Sequence, residues 1–230
     1  MPGNLALASN ARLEASRFGR ERQPIVTIDD ALADPDAVVA IAARHSFRPI
    51  GPFYPGVRAA VSEAIAMELI EQHLDDLTTH FGLSRSPRFH ECYLSIVTTR
   101  PADLAPIQRL PHFDGTERER IAVLLYLDRA ERGGTAFYRQ RSTGFESVDA
   151  DRFERYRRDL EAGIARAGMP DAAYISGDTP LFEQVHRVAG RFNRVIAYRG
   201  NTLHCADLHA AFEPVADAAT GRLTLNLFLN

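Results

Sequence analysis

The sequence contains no lysine and no tryptophan, so all 27 of its basic residues are arginine. Any site that must hold a carboxylate with a permanent cation therefore has to use arginine, whose planar guanidinium binds a carboxylate through two hydrogen bonds. Acidic residues number 30, which gives a formal net charge of -3. This balance argues against a general nucleic-acid-binding protein, because phosphate binding requires a basic surface.

Cysteine is also scarce, with only Cys92 and Cys205, which form no Cys-x-x-Cys pair. Two buried free thiols of an intracellular protein are the expectation, with one disulfide as the alternative. The N-terminus has no cationic segment followed by an apolar run, and no apolar stretch approaches the roughly 20 residues that span a bilayer. We therefore expect a cytoplasmic protein without a membrane partner.

The length of 230 residues and the 45% hydrophobic content predict a single domain. Residues 1–22 lack periodicity and are expected to form a loose arm. Residues 23–29 are rich in β-branched side chains and predict a strand. Asp34-Pro35 predicts the start of a helix that reaches about residue 44, and apolar residues at helical spacing predict a longer helix over 57–81. The first 87 residues are thus expected to be an arm and a helical support.

From residue 88 onward the pattern changes to short alternating or continuously apolar segments, which predict β-strands. The exception is a charged helix over 150–168, interpreted as part of an insertion at about 145–180. Helices near the N-terminus followed by many strands predict an α+β fold whose core, 88–230, is a barrel or jelly roll. The predicted strands are 88–99, a strand at the histidine-aspartate motif near 112, 120–127, 133–138, 185–188, 194–198, 202–205 and 221–230.

The loop at 47–56 contains three prolines, two glycines and three aromatic residues. Such a composition predicts a rigid loop that positions its rings. The rings either cover the hydrophobic core or form a lip over a substrate pocket, since loops on a rigid scaffold often bind ligands.

The segment Leu110–Gly115 carries the motif on which the functional prediction depends. In an extended strand, alternate side chains share a face, so His112 and Asp114 project together. They supply two-thirds of a 2-His-1-carboxylate triad, the donor set that holds non-haem Fe(II) and leaves positions open. Without a third ligand, the alternative interpretation is a surface turn ending in Asp-Gly.

The third ligand has to come from the remaining histidines of a chain that contains eight. His90 opens a strand and His186 could reach a pocket. His204 is the best candidate, because the turn signal Arg199-Gly200-Asn201 places it at the start of a strand after a tight corner. The alternative is an ordinary hydrogen-bonded strand residue.

Four sequence elements, taken together in their order along the chain, resemble the Fe(II)- and 2-oxoglutarate-dependent oxygenases, nearest in pattern to their prolyl-hydroxylase-like branch. The resemblance covers residues 108–228, about half of the chain, and implies a double-stranded β-helix (jelly-roll, cupin-like) core with the N-terminal helices packed on one sheet. The elements are His112-x-Asp114, Gly133-Gly134-Thr135-x-Phe137, His204 and Arg222-x-Thr224.

The resemblance also implies roles for individual residues. His112, Asp114 and His204 match the iron ligands and hence the catalytic centre. Arg222 matches the residue that binds the distal carboxylate of 2-oxoglutarate, and Thr224 the hydroxyl beside it.

Two further points concern the co-substrate site. Tyr126 is a further expected contact of 2-oxoglutarate. The 18 positions between His204 and Arg222 (222 − 204) exceed the family's usual spacing, so Arg194 and Arg199 are rivals for the anchoring arginine.

The implied activity is hydroxylation of a C–H bond with O2, releasing succinate and CO2. The carboxylate at position 114 favours this over halogenation, since related halogenases have a small residue there. The expected substrate is a small molecule or peptide, and a homodimer is one option for the assembly. Arg109, Arg139 and Arg141 near the mouth either favour an anionic or polar partner or are solvated side chains of a lysine-free protein. Alternatives are a jelly-roll metalloenzyme that does not use 2-oxoglutarate and a non-catalytic binding protein.

Overall fold

The structure, a computed structural model, describes residues 7–208 and 212–230. Its helices are α1 (Pro35–Ala42), α2 (Glu63–Ala66), α3 (Leu74–Phe81) and α4 (Ala150–Ala167). Its strands are β1 (Arg12–Phe18), β2 (Gln23–Asp29), β3 (Gly56–Ala60), β4 (Phe89–Val97), β5 (Ile121–Tyr126), β6 (Gly134–Gln140), β7 (Phe182–Val188), β8 (Arg194–Arg199), β9 (His204–Asp207) and β10 (Leu223–Leu229).

The strands form two antiparallel sheets within the described residues. The larger sheet has the order β1-β2-β8-β5-β10-β4-β3, and the smaller has the order β7-β6-β9. The closing strand β10 lies between β5 and β4, with Thr224 opposite both Tyr126 and Ser95. The end of the chain therefore runs through the middle of the large sheet.

Strict alternation along β10 divides its side chains between the two faces of the large sheet. Leu223, Leu225 and Leu227 pack in the main core together with residues of α1 and α3. Phe228 packs in a second cluster that also contains Phe137 of the small sheet. The N-terminal helices thus cover one face of the large sheet, as predicted, and the small sheet covers the other.

Most predicted elements are confirmed. The strand over 23–29 is β2, and the helix starting at Asp34-Pro35 is α1, whose first turn is capped by a hydrogen bond of 3.0 Å from the Ala37 amide to Asp34 Oδ1. The charged helix is α4, located between β6 and β7. Both cysteines are free and buried, as expected.

Two expectations for the N-terminal region are wrong. Residues 57–81 are not one helix: Val57 lies in β3, which pairs with β4, and two short 3-10 segments separate α2 from α3. Helical spacing corresponds to α-helix only in α2 and α3, whereas pairing with β4 makes the start of the segment a strand. Of the supposed arm, residues 12–18 form the edge strand β1 on β2, and residues 1–6 lie outside the described part.

Within residues 7–208 and 212–230, every helix is too short or too polar to cross a membrane.

Candidate metal centre

The three predicted ligands meet where the segment before β5 passes β9. His112 and His204 exchange backbone hydrogen bonds, 2.9 Å from the His112 amide and 2.8 Å from the His204 amide. The strand expected at 112 is reduced to this single bridge, because the Asp114 amide donates instead to the Gly200 carbonyl, at 2.7 Å. Backbone pairing thus brings the His-x-Asp motif and the turn before His204 together.

One ligand atom from each of His112, Asp114 and His204 lies within 4.8 Å of the others. Asp114 Oδ1 is 3.7 Å from His112 Nε2, and Asp114 Oδ2 is 3.4 Å from His204 Nε2. Neighbouring ligands about 2.1 Å from a shared metal lie about 3 Å apart, so a small closure would complete such a site. The structure thus brings the three sequence-predicted residues together.

The backbone fixes the tautomer of His204. Its Nδ1 lies 2.8 Å from the Thr202 carbonyl oxygen, and since a carbonyl only accepts, Nδ1 carries the proton. The Nε2 atom therefore keeps its lone pair and faces Asp114. Orientation of a ligating imidazole by a hydrogen bond from its other nitrogen is a common feature of metal sites.

The electrostatics keep both imidazoles neutral. Burial lowers the pKa of His204 to about 4. Partial desolvation of its ring and the neighbouring His204 lower the pKa of His112 as well, although part of this side chain is exposed. Burial raises the pKa of Asp114. A metal ligand must be neutral imidazole or ionised carboxylate. The histidines are therefore ready to bind at neutral pH, while the positive charges near Asp114, among them Arg58 and Arg120, do not fully offset the cost of burying its carboxylate.

A carboxylate oxygen without a partner also indicates a metal site. Asp114 Oδ2 is buried and accepts no hydrogen bond, although buried carboxylate oxygens normally have partners. The side chains become more exposed from His204 (6%) through Asp114 (17%) to His112 (53%), so the group opens on the His112 side. The donor set and its missing partner fit a divalent metal with open positions toward the opening.

The turn after Asp114 depends on Gly115 and Arg120. Gly115 has φ +147°, and a Cβ there would come within 2.6 Å of the Arg120 guanidinium. That guanidinium donates to the Asp114 carbonyl oxygen and, at 3.0 Å, to Asn230 Oδ1. The Asp-Gly pair thus places the ligand on a rigid turn tied to the chain end.

The Gly-Gly-Thr motif serves packing as well as the site. A Cβ on Gly133 would lie 2.0 Å from the Asp207 carbonyl oxygen, and one on Gly134 would lie 1.9 Å from that of Val188. The glycines therefore allow close approach of the chain on both sides of β6. Thr135, which follows them, places its hydroxyl 2.6 Å from that of Tyr126 on the large sheet.

The three residues expected at the 2-oxoglutarate site are buried together. Arg222 is 4% exposed, Thr224 2% and Tyr126 2%. Arg222 donates to the Gly134 carbonyl at 3.0 Å, and its Nε is buried without an acceptor. Burial raises the pKa of Tyr126 to about 12, so its hydroxyl stays protonated. A buried guanidinium with no carboxylate partner among the described residues suits an anionic ligand.

The rival arginines are already engaged. Arg194 binds Asp29 bidentately at 2.5 and 2.8 Å and also donates to the Ala189 carbonyl. Arg199 donates to the backbone carbonyls of Arg118 and Phe81.

The remaining sequence candidates lie elsewhere. His186 stacks on Phe18 with ring centroids 4.7 Å apart and is not part of the ligand group. The three arginines expected to favour an anionic partner are occupied: Arg109 by the Leu104 carbonyl, Arg139 by Glu146 and Glu183, and Arg141 by Asp178.

Sequence reasoning missed two charged residues on the inner face, Arg58 and Glu91. Arg58 of β3 lies opposite Ser95 of β4 and packs on the rings of Tyr54 and Tyr93. Glu91 accepts a hydrogen bond of 2.8 Å from the Tyr93 hydroxyl. No motif marks them, because only the pairing of β3 with β4 brings them together.

The metal-free protein is expected to lose stability in mild acid through His204. The pKa of this side chain falls from its ordinary value of 6.5 in the unfolded chain to about 4 in the folded protein, so below pH 6.5 the unfolded chain takes up a proton that the folded chain does not. Above pH 6.5 this side chain does not reduce the free energy of unfolding. At pH 5 it lowers the free energy of unfolding by about 2 kcal/mol. Urea unfolding of the wild type and His204→Gln at pH 7.5 and 5 measures it.

The exposed His45, changed to Gln, is the control for this measurement and should leave the pH dependence unchanged. The raised pKa of Asp114 acts in the opposite direction in all three proteins. Equal pH dependence in the wild type and His204→Gln would contradict the prediction.

Two antiparallel sheets with flanking helices and a His-Asp-His group that opens on one side define the class as a candidate metalloprotein of mixed α and β structure. Residues 9–229 match the model of a family described as "Family of unknown function (DUF6445)". The chain belongs to this family. A search among curated proteins found no match.

Solved structures similar to this chain include proteins described as alpha-ketoglutarate-dependent enzymes or crystallised with 2-oxoglutarate. HygX from Streptomyces hygroscopicus, with nickel, 2-oxoglutarate and hygromycin B bound, shares 13% identity over 91% of this chain and 84% of its own, with a TM-score of 0.52. The non-heme alpha-ketoglutarate-dependent epimerase SnoN of nogalamycin biosynthesis shares 14% identity over 91% of this chain and 78% of its own, with a TM-score of 0.49. An N-substituted L-amino acid dioxygenase from Burkholderia ambifaria AMMD shares 12% identity over 95% of this chain and 94% of its own, with a TM-score of 0.45.

Proposed function

We propose that this protein is an Fe(II)- and 2-oxoglutarate-dependent oxygenase that hydroxylates a C–H bond of a small molecule or peptide. The observation that carries the proposal is the His112, Asp114 and His204 group, whose ligand atoms lie within 4.8 Å and whose Asp114 Oδ2 has no partner. Two imidazoles and one carboxylate on one side of a metal are the donor set of non-haem iron oxygenases.

The fold supports this proposal. Strands β5, β8 and β10 of the large sheet face β6 and β7 of the small one across a shared apolar cluster. We assign this core as a double-stranded β-helix of the prolyl-hydroxylase-like branch, forming a single domain over residues 1–230. Its N-terminal part, 1–87, contributes strands and helical support, and α4 lies in the insertion at about 145–180.

In the proposed site, each residue has a separate task. His112 and His204 offer Nε2, and Asp114 offers a carboxylate oxygen, to Fe(II). Arg222 takes the distal carboxylate of 2-oxoglutarate, while Thr224, two residues on along the same face, donates its hydroxyl. Tyr126, held by Thr135 at 2.6 Å, borders the same space.

Aromatic side chains keep water away from the His204 side of the proposed site. The His204 ring lies against Tyr198 and Phe137, with centroids at 4.8 and 6.3 Å. When bound, Fe(II) and 2-oxoglutarate would supply the oxidising chemistry: one oxygen atom of O2 enters the substrate as a hydroxyl, and the other enters succinate as CO2 is released.

Anaerobic titration tests the proposal. Addition of Fe(II) and then 2-oxoglutarate to the wild type should produce a visible metal-to-ligand charge-transfer band and a 2-oxoglutarate-dependent rise in Tm. The His112→Ala variant should show neither, because it removes one of three metal ligands.

Three outcomes would contradict the proposal. The first is a wild type that shows neither signal, and the second is a His112→Ala variant with the wild-type signal. The third is a wild type that binds metal but does not respond to 2-oxoglutarate, which would indicate a metalloenzyme or binding protein without this co-substrate.

A further inference from the structure

Arg58 carries an unpaired charge on the inner face of the large sheet. It alternates with the core-facing Val57 and lies opposite Ser95 of β4. Its guanidinium carbon is 4.1 Å from the Tyr54 ring centroid and 5.1 Å from that of Tyr93. Its Nε is buried without an acceptor, and its side chain makes no salt bridge with any residue of the described ranges.

Glu91 carries the opposite charge on the same face, four residues before Ser95 in β4. Its carboxylate accepts a hydrogen bond of 2.8 Å from the Tyr93 hydroxyl and forms no salt bridge within the part of the chain that the structure describes. Tyr93 thus contacts a cation through its ring and an anion through its hydroxyl. Both charges contact the same tyrosine, and the described residues include no salt bridge between them.

Both charges lie on the face of the large sheet that carries the proposed 2-oxoglutarate site. Arg58 lies opposite Ser95 of β4, and Ser95 lies opposite Thr224 of β10. Glu91 shares the Ser95 face of β4 by strand alternation. Arg58 therefore lies in the same cross-strand row as Thr224, two strands away, and borders the proposed site.

We propose that Arg58, Tyr93 and Glu91 form the substrate subsite and that the substrate is a zwitterion, with a carboxylate on Arg58 and an ammonium group on Glu91. This inference rests on the proposed oxygenase function. The arginine fork matches a carboxylate, and the Glu91 carboxylate, with a lone pair beyond its bond to Tyr93, accepts from an ammonium donor.

The charge pattern distinguishes this ligand class from others. A phosphate or a second dicarboxylate would satisfy Arg58 but would be repelled by Glu91. A simple amine would satisfy Glu91 but would leave Arg58 unpaired in a partly buried position, which is costly. A ligand with one positive and one negative group would pair with both residues at once.

Calorimetric binding to protein loaded with Ni(II) and 2-oxoglutarate tests the subsite without relying on turnover. The probes are neutral-side-chain α-amino acids, their N-alkylated forms, the matching carboxylic acids without the amine, and the matching amines. The wild type should bind at least one zwitterion and bind its acid and amine counterparts at least about 10-fold more weakly.

Two variants connect this preference to the residues. Arg58→Met keeps the stem that packs on the tyrosines and should weaken zwitterion binding by about 10–100-fold, while 2-oxoglutarate affinity stays within about 3-fold. Glu91→Gln keeps the shape and should weaken the zwitterion by about 10-fold without affecting the matching acid. Since Glu91→Gln perturbs packing least, it keeps the test valid if Arg58→Met fails to fold.

The outcomes separate the two proposals. If the wild type binds 2-oxoglutarate but no zwitterion of the panel, the subsite is wrong and the oxygenase proposal stands. If Arg58→Met loses 2-oxoglutarate affinity instead, Arg58 is the co-substrate anchor and the subsite assignment fails. If the wild type binds neither metal nor 2-oxoglutarate, both proposals fall together.

Discussion

Replacing Asp114 by alanine is expected to lower metal affinity by more than about 100-fold and at the same time to stabilise the metal-free protein by about 1 kcal/mol. The two effects have one cause. Asp114 Oδ2 is buried without a partner, and burial raises the pKa of the carboxylate. Without a cation, the charge costs stability, and with a cation it supplies the anionic ligand.

Metal titration and urea unfolding of the same Asp114→Ala preparation measure both effects. Asp76→Ala is the matched control, because Asp76 also contacts a histidine, at 3.1 Å from His73, but is 63% exposed. We expect the control to change neither quantity. Unchanged metal affinity in Asp114→Ala would contradict the assignment of this residue as a ligand.

The second large effect is expected at Arg222. Changing Arg222 to methionine should weaken 2-oxoglutarate binding by about 100-fold or more, since the distal carboxylate would be desolvated opposite an apolar side chain. Affinity for the metal alone should not change, because Arg222 lies at the Gly134 carbonyl and is not one of the three ligand residues. Titration of metal and of co-substrate, measured separately, distinguishes this from general damage to the fold.

Arg194→Met provides the control for Arg222. Arg194 is bound bidentately to Asp29, so its loss should lower stability without reducing 2-oxoglutarate affinity. The opposite result, with 2-oxoglutarate affinity lost in Arg194→Met and kept in Arg222→Met, would transfer the anchor to β8.

The sequence predicted local structure well where one physical signal dominated. Continuous apolar residues identified β5, strict alternation identified β10, and a capping aspartate before proline identified the start of α1. It failed over 57–81 because β3 is a strand only through its pairing with β4, a partner that begins about thirty residues further on. Periodicity within a segment contains no information about such a distant partner.

The sequence by itself determined the chemistry of the candidate site, since His112, Asp114 and His204 have donor atoms suited to one metal and since Arg222 and Thr224 share a face by strand alternation. Only the tertiary structure decided which charges are free. It pairs Arg194 with Asp29 and leaves Arg222, Arg58 and Glu91 without ionic partners in the described chain. The reason is physical: residue type fixes what a side chain can bind, whereas its neighbours across the sheets decide whether it is already bound.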